Sequence, residues 1–237
     1  MPKIGIVLSG CGVMDGSEIH EAVLTLLAVS QQGSEPVFMA PDIDQTDVIN
    51  HLSGEPVKEK RNVLVESARI ARGKIRDIKT VKAGEIDALI FPGGYGAAKN
   101  LSNFASKGAE CEVNPEAARL AREMHKAGKP VGAICIAPAV MAKIFQGNSV
   151  SLTIGTDRGT AAAIRKMGQK HVDCSVREVC VDEANGVVST PAYMLAENAA
   201  EAFEGIRKLV AEVIRRTQGR TDGANRGAPS LPNAGRP

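Results

Sequence analysis

Cys135 has the sequence surroundings of a catalytic nucleophile. It lies in the run KPVGAICIA, in the pattern small-x-Cys-x-small, with Ala133 two residues before it and Ala137 two residues after it. A nucleophile held on a sharp turn between a strand and a helix needs small neighbours at these positions, because larger side chains would clash with the turn. The dipole of the helix that follows is expected to lower the pKa of the thiol. The pattern therefore predicts a cysteine nucleophile elbow.

Two backbone donors are predicted to face a substrate bound at Cys135. One is the N–H group of Ile136, and the other lies in the glycine turn Gly93-Gly94 of EIDALIFPGG, where missing side chains let the backbone approach the substrate. The alternative interpretation is structural, since a cysteine in an apolar strand commonly fills the core. The small flanking residues and the glycine turn favour the catalytic interpretation.

The other cysteines carry weaker signals. Cys11 lies in the loop SGCGVMDG, at the sheet edge expected for Cys135, and is either a resolving thiol or a small residue in a tight loop; the second is favoured. The chain has five cysteines and no CxxC motif, which indicates free thiols and a cytoplasmic location. In a straight strand, Cys174 and Cys180 would be about 20 Å apart, too far for a disulfide.

The elements that must position these residues alternate short apolar strands with helices. Such alternation predicts a mostly parallel sheet covered by helices on both faces, with ligands at the carboxyl ends of the strands. Strands are predicted at 3–8, 36–40, 85–91, 129–135, 149–153, 172–182 and 186–190. Helices are predicted at 18–32, 62–72, 115–127, 137–145, 157–167 and 195–217.

Two helix starts bear on the site. The segment 15–18 caps the first helix, whose apolar spacing includes Ile19, Val23 and Leu27. Thr156-Asp157 in IGTD either lines the pocket or caps the helix that begins there, and the cap is favoured.

Composition narrows the class of protein. The 237 residues are 43% apolar, only 3% are aromatic, and no apolar run approaches the length of a membrane helix. Five arginines and one aspartate follow residue 214, a net charge of +4, so the remainder of the chain carries −2. A weakly acidic body with few aromatic residues is not typical of a nucleic-acid or membrane binder. We expect one domain over 1–217 and a disordered tail over 218–237.

The motifs SGCGVMDGSEIHEAV, LIFPGGYGAAKNLS, GAICIAPAV and IGTD together resemble the ElbB-like branch of the PfpI-like proteins. These proteins are similar to class I glutamine amidotransferases. The resemblance covers residues 1 to about 217. It implies a flavodoxin-like three-layer sandwich, a homodimer, and a weak glyoxalase activity that needs no cofactor or metal. The family names also imply a link to isoprenoid biosynthesis.

The resemblance further implies a carboxylate partner for Cys135. A glutamate of the first helix bonds to the nucleophile in this superfamily and corresponds here to Glu21, with Glu18 one turn earlier as the runner-up. The alternative for both is a solvated surface acid. The glutamine-hydrolysing members use a Cys-His-acid triad. This chain is expected to lack the histidine of that triad, because the first histidine after Cys135 is His171. His20 is expected to point about 100° away from Glu21 around the helix.

Three functions are consistent with these residues. The first is a glyoxalase for a small-molecule aldehyde, converting glyoxal, and less readily methylglyoxal, through Cys135 and Glu21. The second is a redox sensor or regulatory partner whose low-pKa Cys135 is oxidised and stabilised by Glu21. The third, an amidotransferase subunit with a partner synthase, is least favoured because the histidine is missing.

Overall fold

A seven-stranded sheet between two layers of helices organises the chain. The computed structural model describes residues 1–224, with side chains described to residue 218. The strands are β1 (Lys3–Val7), β2 (Glu35–Ala40), β3 (Ile75–Asp77), β4 (Ala88–Phe91), β5 (Val131–Ile134), β6 (Ser151–Leu152), β7 (Lys170–His171), β8 (Cys180–Asp182) and β9 (Val187–Thr190). The helices are α1 (Ile19–Gln31), α2 (Val63–Ile70), α3 (Tyr95–Lys99), α4 (Phe104–Lys107), α5 (Pro115–Lys126), α6 (Ala137–Ile144), α7 (Arg158–Lys166) and α8 (Ala199–Ala224).

The sheet has the strand order β3-β2-β1-β4-β5-β9-β8, and only the β8–β9 pair is antiparallel. The central strands β4 (ALIF) and β5 (VGAI) are buried along their whole length, as expected for parallel strands covered on both faces. The β1–β4 and β4–β5 registers align these strands so that their carboxyl ends share one edge. The predicted α/β, flavodoxin-like sandwich is thereby confirmed.

Two apolar clusters hold the helices against the sheet. One joins α5, α6 and α7 to one face, and the other joins α1, α2 and α8 to the opposite face. Helix starts follow ordinary capping chemistry: the Asn114 side chain accepts from two N–H groups of the first turn of α5, and Pro115 occupies its first position. No helix of the described residues is long and apolar enough to cross a membrane.

Helix α1 turns three of its large apolar side chains outward. Ile19, Val23 and Leu27 are 41%, 45% and 42% exposed. The buried face consists instead of smaller or polar residues: Glu21, Ala22, Thr25, Ala28 and Val29. The small side chains let α1 pack closely on α8, and this rotation carries the Glu21 carboxyl into the interior.

The strand predicted over 172–182 is mostly wrong. Cys174 lies in a loop. A turn at Ser175–Glu178, closed by a hydrogen bond from the Glu178 N–H to the Ser175 carbonyl, precedes β8. Because the chain is not straight here, the premise of the 20 Å separation between the two thiols does not hold. Burial, followed by the nearby Cys174, raises the pKa of the Cys180 thiol to about 11. Both cysteines are free thiols.

The last helix is longer than predicted. Helix α8 continues past residue 217 to Ala224. The remainder of the predicted disordered tail, 225–237, lies outside the described residues.

Candidate active site

Cys135 lies on a strained turn between β5 and α6. Its φ is +61°, in the left-handed region that costs a non-glycine residue roughly 1–2 kcal/mol. Its N–H donates to the Thr190 carbonyl of the neighbouring strand at 2.9 Å, and the flanking Ala133 and Ala137 are fully buried. Because both are fully buried, a larger side chain at either flank would be crowded. This is the geometry expected of a nucleophile elbow.

Gly93 packs directly against Cys135. Its N–H donates to Oε2 of Glu21 at 2.9 Å, and its carbonyl accepts from the N–H of Glu18 at 2.9 Å. A Cβ at this position would lie 2.5 Å from the Cys135 Cβ and 2.6 Å from Glu21 Oε2. The absence of a side chain at Gly93 therefore lets the thiol and the carboxyl meet.

The two predicted backbone donors lie at the sulfur. The N–H groups of Gly94 and Ile136 both face Cys135 Sγ and act to lower the pKa of the thiol. Gly94 has a φ of +95°, and a Cβ there would lie 2.3 Å from the Glu18 nitrogen. Only glycine fits this turn, which begins α3 and aims its amide at the nucleophile.

Glu21 is fully buried beside the thiol. Its Oε1 accepts from the Tyr193 N–H at 3.2 Å, Oε2 accepts from Gly93, and the carboxyl shares a hydrogen bond with Cys135. Burial, and then the neighbouring Glu18, raise the pKa of Glu21 to about 8, although these hydrogen bonds lower it in part. Glu21 is therefore largely a neutral carboxylic acid at pH 7.

The Cys135 thiol is not the low-pKa group that the helix dipole predicts. Burial raises the pKa of Cys135 well above its ordinary value, and the negative charge of Glu21 raises it further. The two backbone donors only partly oppose this. The expectation of a lowered pKa is wrong because desolvation of the thiolate outweighs the helix terminus.

Neither Glu18 nor Cys11 bonds to the Cys135 thiol. Glu18 caps α1, its Oε2 accepting from the Glu21 N–H at 2.6 Å, so it tunes Glu21 and does not bond to the thiol. Cys11 is half-buried and does not line the Cys135 pocket. Burial, followed by Glu66, raises its pKa. The placement favours a loop residue over a resolving thiol.

A cavity of about 470 Å³ opens above Cys135. Its lining residues come from the ends of four strands and from α3, α4 and α7: Val13, Glu18, Gly94, Tyr95, Ala98, Phe104, Ala105, Cys135, Ile136, Asp157, Thr160, Tyr193 and Met194. Asp157 both caps α7, accepting from Thr160 N–H at 2.7 Å, and lines this pocket, so both interpretations of IGTD hold.

Tyr193 is a site residue that the sequence analysis missed. It follows β9, whose carboxyl end lies beside that of β5, and the segment PAYM after a predicted strand was the available signal. Its hydroxyl is 2.9 Å from His20 Nδ1. His20 therefore reaches the pocket edge through a tyrosine, even though it points away from Glu21 on the helix.

No histidine lines the cavity among the residues that the structure describes. His171 lies on β7, where its Nε2 accepts from Ile154 N–H and its Nδ1 faces Asp173 at 3.3 Å. His125 contacts Phe145 and Asn185. The described side chains thus supply a Cys–Glu pair, and neither of these histidines completes a Cys-His-acid triad.

Comparison with known proteins extends these observations. The model of the DJ-1/PfpI family matches residues 12–194. The human protein named "Glutamine amidotransferase-like class 1 domain-containing protein 3, mitochondrial" is 48% identical, covering 91% of this chain and 83% of its own length. The rat "ES1 protein homolog, mitochondrial" is 47% identical, covering 91% and 84%. A crystal structure from Ehrlichia chaffeensis, named an isoprenoid biosynthesis protein with an amidotransferase-like domain, is 39% identical with a TM-score of 0.84, covering 90% and 99%.

These relatives overturn one prediction. The cytoplasmic location inferred from free thiols is contradicted, because the human and rat relatives are both named mitochondrial. Free cysteines indicate a reducing surrounding and do not distinguish one reducing compartment from another.

Proposed function

The chain belongs to the DJ-1/PfpI family, and we propose that it is a glyoxalase that uses Cys135 as the nucleophile and Glu21 as the acid and base. The observation that carries the proposal is the buried Cys135–Glu21 pair beneath an open cavity, with two N–H groups aimed at the sulfur. The substrate is an aldehyde with an adjacent carbonyl carbon, and no cofactor takes part.

Addition is the first step. The Cys135 sulfur bonds to the aldehyde carbon while its proton passes to the carboxylate form of Glu21, which then returns it to the aldehyde oxygen. The Gly94 and Ile136 N–H groups stabilise the negative oxygen before it is protonated. The product is a neutral hemithioacetal.

Proton transfer follows at the same carboxyl. Glu21 takes the hydrogen of the sulfur-bearing carbon as a proton, which leaves an enediol, and delivers a proton to the neighbouring carbon. The hydroxyl proton of the first carbon passes to the oxygen of the second, so the first carbon is oxidised to a thioester and the second is reduced to an alcohol. A pKa of about 8 suits this role, because both protonation states of Glu21 are populated near neutral pH. Water then cleaves the thioester and restores the thiol. Glyoxal and one water thereby give glycolic acid.

Replacing Cys135 with Ala is expected to abolish glycolate production from glyoxal, because none of the other described lining residues carries a thiol to form the hemithioacetal. Cys11→Ala is the matched control, since Cys11 lies outside the pocket, and should keep wild-type turnover. Glycolate is measured by NMR, and circular dichroism checks the fold. Turnover near wild type in the folded Cys135→Ala protein would refute the proposal.

The rival functions have less support. A redox sensor of the expected type needs a low-pKa thiol, whereas burial raises the pKa of Cys135. Glutamine hydrolysis needs a histidine beside the nucleophile, and the cavity has none among its described lining residues.

We also propose that the chain belongs to the ElbB-like branch of the family. The motifs around Cys135 and Gly93 support this assignment, as does the likeness to the Ehrlichia protein, whose name gives the link to isoprenoid biosynthesis.

The outward face of α1 supports a homodimer. Family members commonly form dimers, and this face presents Ile19, Val23 and Leu27 with no lysine or arginine on the helix. An uncharged apolar stripe can pair with its own copy without like-charge repulsion.

Val23→Glu is therefore expected to weaken the dimer at least about tenfold, because it places charge in the centre of the stripe. Sedimentation over a range of concentrations measures the dissociation constant. Leu52→Glu, at a site 98% exposed and outside α1, is the control that should leave the dimer intact. A Val23→Glu protein with the wild-type dissociation constant would place the interface elsewhere.

A further inference from the structure

The cavity above Cys135 is wider and more apolar than glyoxal requires. We propose that its substrate is an uncharged α-oxoaldehyde carrying an aryl group or an alkyl group of similar size. This inference rests on the proposed function and names the substrate class of the same site.

The cavity is large for a two-carbon substrate. Its volume of about 470 Å³ lies in the range of pockets that enclose ligands much larger than a two-carbon dialdehyde. Glyoxal bound to Cys135 would leave most of this space to water.

The walls of the cavity are mostly apolar. Apolar side chains surround the approach to the thiol, and two of them are unusually exposed for their size, Tyr95 at 56% and Val13 at 39%. Phe104, Ile136 and Met194 complete this surface and are each only partly buried. An apolar substituent on the carbonyl compound would cover these side chains and gain the free energy of their removal from water.

The charged side chains at the cavity are acidic. The only charged residues that line the cavity, among those described, are Glu18 and Asp157. Hydrogen bonds from Thr160 hold the pKa of Asp157 below its ordinary value, so Asp157 is charged at neutral pH. The ammonium group of nearby Lys99 forms an ion pair with Asp47 at 2.8 Å and donates to the Met14 carbonyl. A carboxylate or phosphate on the substrate would meet negative charge and find no cationic side chain among the described lining residues.

The test uses three reagents that alkylate Cys135 without turnover: iodoacetamide, the anionic iodoacetate and the aromatic phenacyl bromide. Each rate is divided by that of the same reagent with glutathione. Because all three react with the same thiolate, the thiol pKa cancels from their ratios. We expect phenacyl bromide to exceed iodoacetamide, and iodoacetamide to exceed iodoacetate, each by about tenfold.

Two variants assign these preferences to the cavity. Tyr95→Ala should lower the phenacyl preference about threefold or more, whereas Leu52→Ala, at an exposed apolar residue elsewhere, should not change it. Asp157→Asn keeps a capping side chain on α7 and should raise the relative iodoacetate rate several-fold. Equal normalised rates for the three reagents, or rates that neither variant changes, would overturn the inference.

Turnover separates this inference from the proposed function. Phenylglyoxal should be converted to mandelate with a kcat/KM about tenfold or more above that of glyoxal, and glyoxylate should not react. A faster reaction with glyoxal would refute the substrate class while leaving the glyoxalase in place. No turnover of any aldehyde, together with the expected alkylation ratios, would refute the glyoxalase while leaving the selectivity of the cavity in place.

Discussion

Replacing Glu21 with Gln is expected to lower kcat for glyoxal about a thousandfold while leaving Cys135 reactive. The amide keeps the size of the side chain, and its one oxygen can still accept from either Gly93 or Tyr193, but it cannot move a proton between the two substrate carbons. Losses of 10²–10⁴ are typical when a general acid or base is removed. Stopped-time assays of glycolate at saturating glyoxal measure the change.

The Glu21→Gln substitution that slows turnover should also make Cys135 reactive toward alkylation at lower pH. In the wild type, the rate with iodoacetamide should still be rising above pH 8, because burial and the charge of Glu21 raise the pKa of the thiol. In Glu21→Gln that charge is absent, so the thiol pKa falls and the rise moves to lower pH. Mass spectrometry of the Cys135 peptide across a pH series gives both curves.

Glu59→Gln is the control for Glu21→Gln. Glu59 is an exposed acid that pairs with Arg61, and its replacement should change neither turnover nor the alkylation profile. A Glu21→Gln enzyme that keeps wild-type kcat would show that another group moves the proton. An alkylation curve that shifts to higher pH would contradict the assigned coupling between the carboxyl and the thiol.

The elbow could be predicted from the sequence because its constraint is local. The small residues around Cys135 act within one turn of chain, and the structure places that cysteine at a positive φ between a strand and a helix. The glycine turn at Gly93-Gly94 was likewise visible as a pattern. Glu21 was found only through family resemblance, because nothing local distinguishes it from a surface acid.

The rest depends on packing between distant segments. Apolar spacing at Ile19, Val23 and Leu27 predicted helix α1 but not the face that it buries. The structure leaves these three side chains exposed and buries smaller side chains and the Glu21 carboxyl instead. The raised pKa of that carboxyl arises from burial, which depends on α8, Gly93 and Tyr193 together. Tyr193 joins the site because β9 lies next to β5, a neighbourhood that only the sheet order reveals.

A single methyl group at Gly93 is expected to disable this site. In Gly93→Ala the new Cβ would lie 2.5 Å from the Cys135 Cβ and 2.6 Å from Glu21 Oε2, and neither neighbour can move freely. Cys135 is fixed on a strained turn, and Glu21 is fully buried. We expect kcat/KM for glyoxal to fall at least about a hundredfold, as displacement of catalytic groups by about 1 Å can do.

The same crowding should lower the stability of the fold. Overpacking of a buried site typically lowers the free energy of unfolding by about 1–3 kcal/mol. Since 1 kcal/mol shifts Tm by about 2–4 °C in a domain of this size, calorimetry should detect the change. Gly84→Ala is the matched control, because a Cβ there meets no atom within 4 Å. If Gly93→Ala retained the activity and Tm of Gly84→Ala, the close packing of Cys135 and Glu21 around Gly93 would not determine the reaction. The roles given to Cys135 and Glu21 would then have to be tested separately.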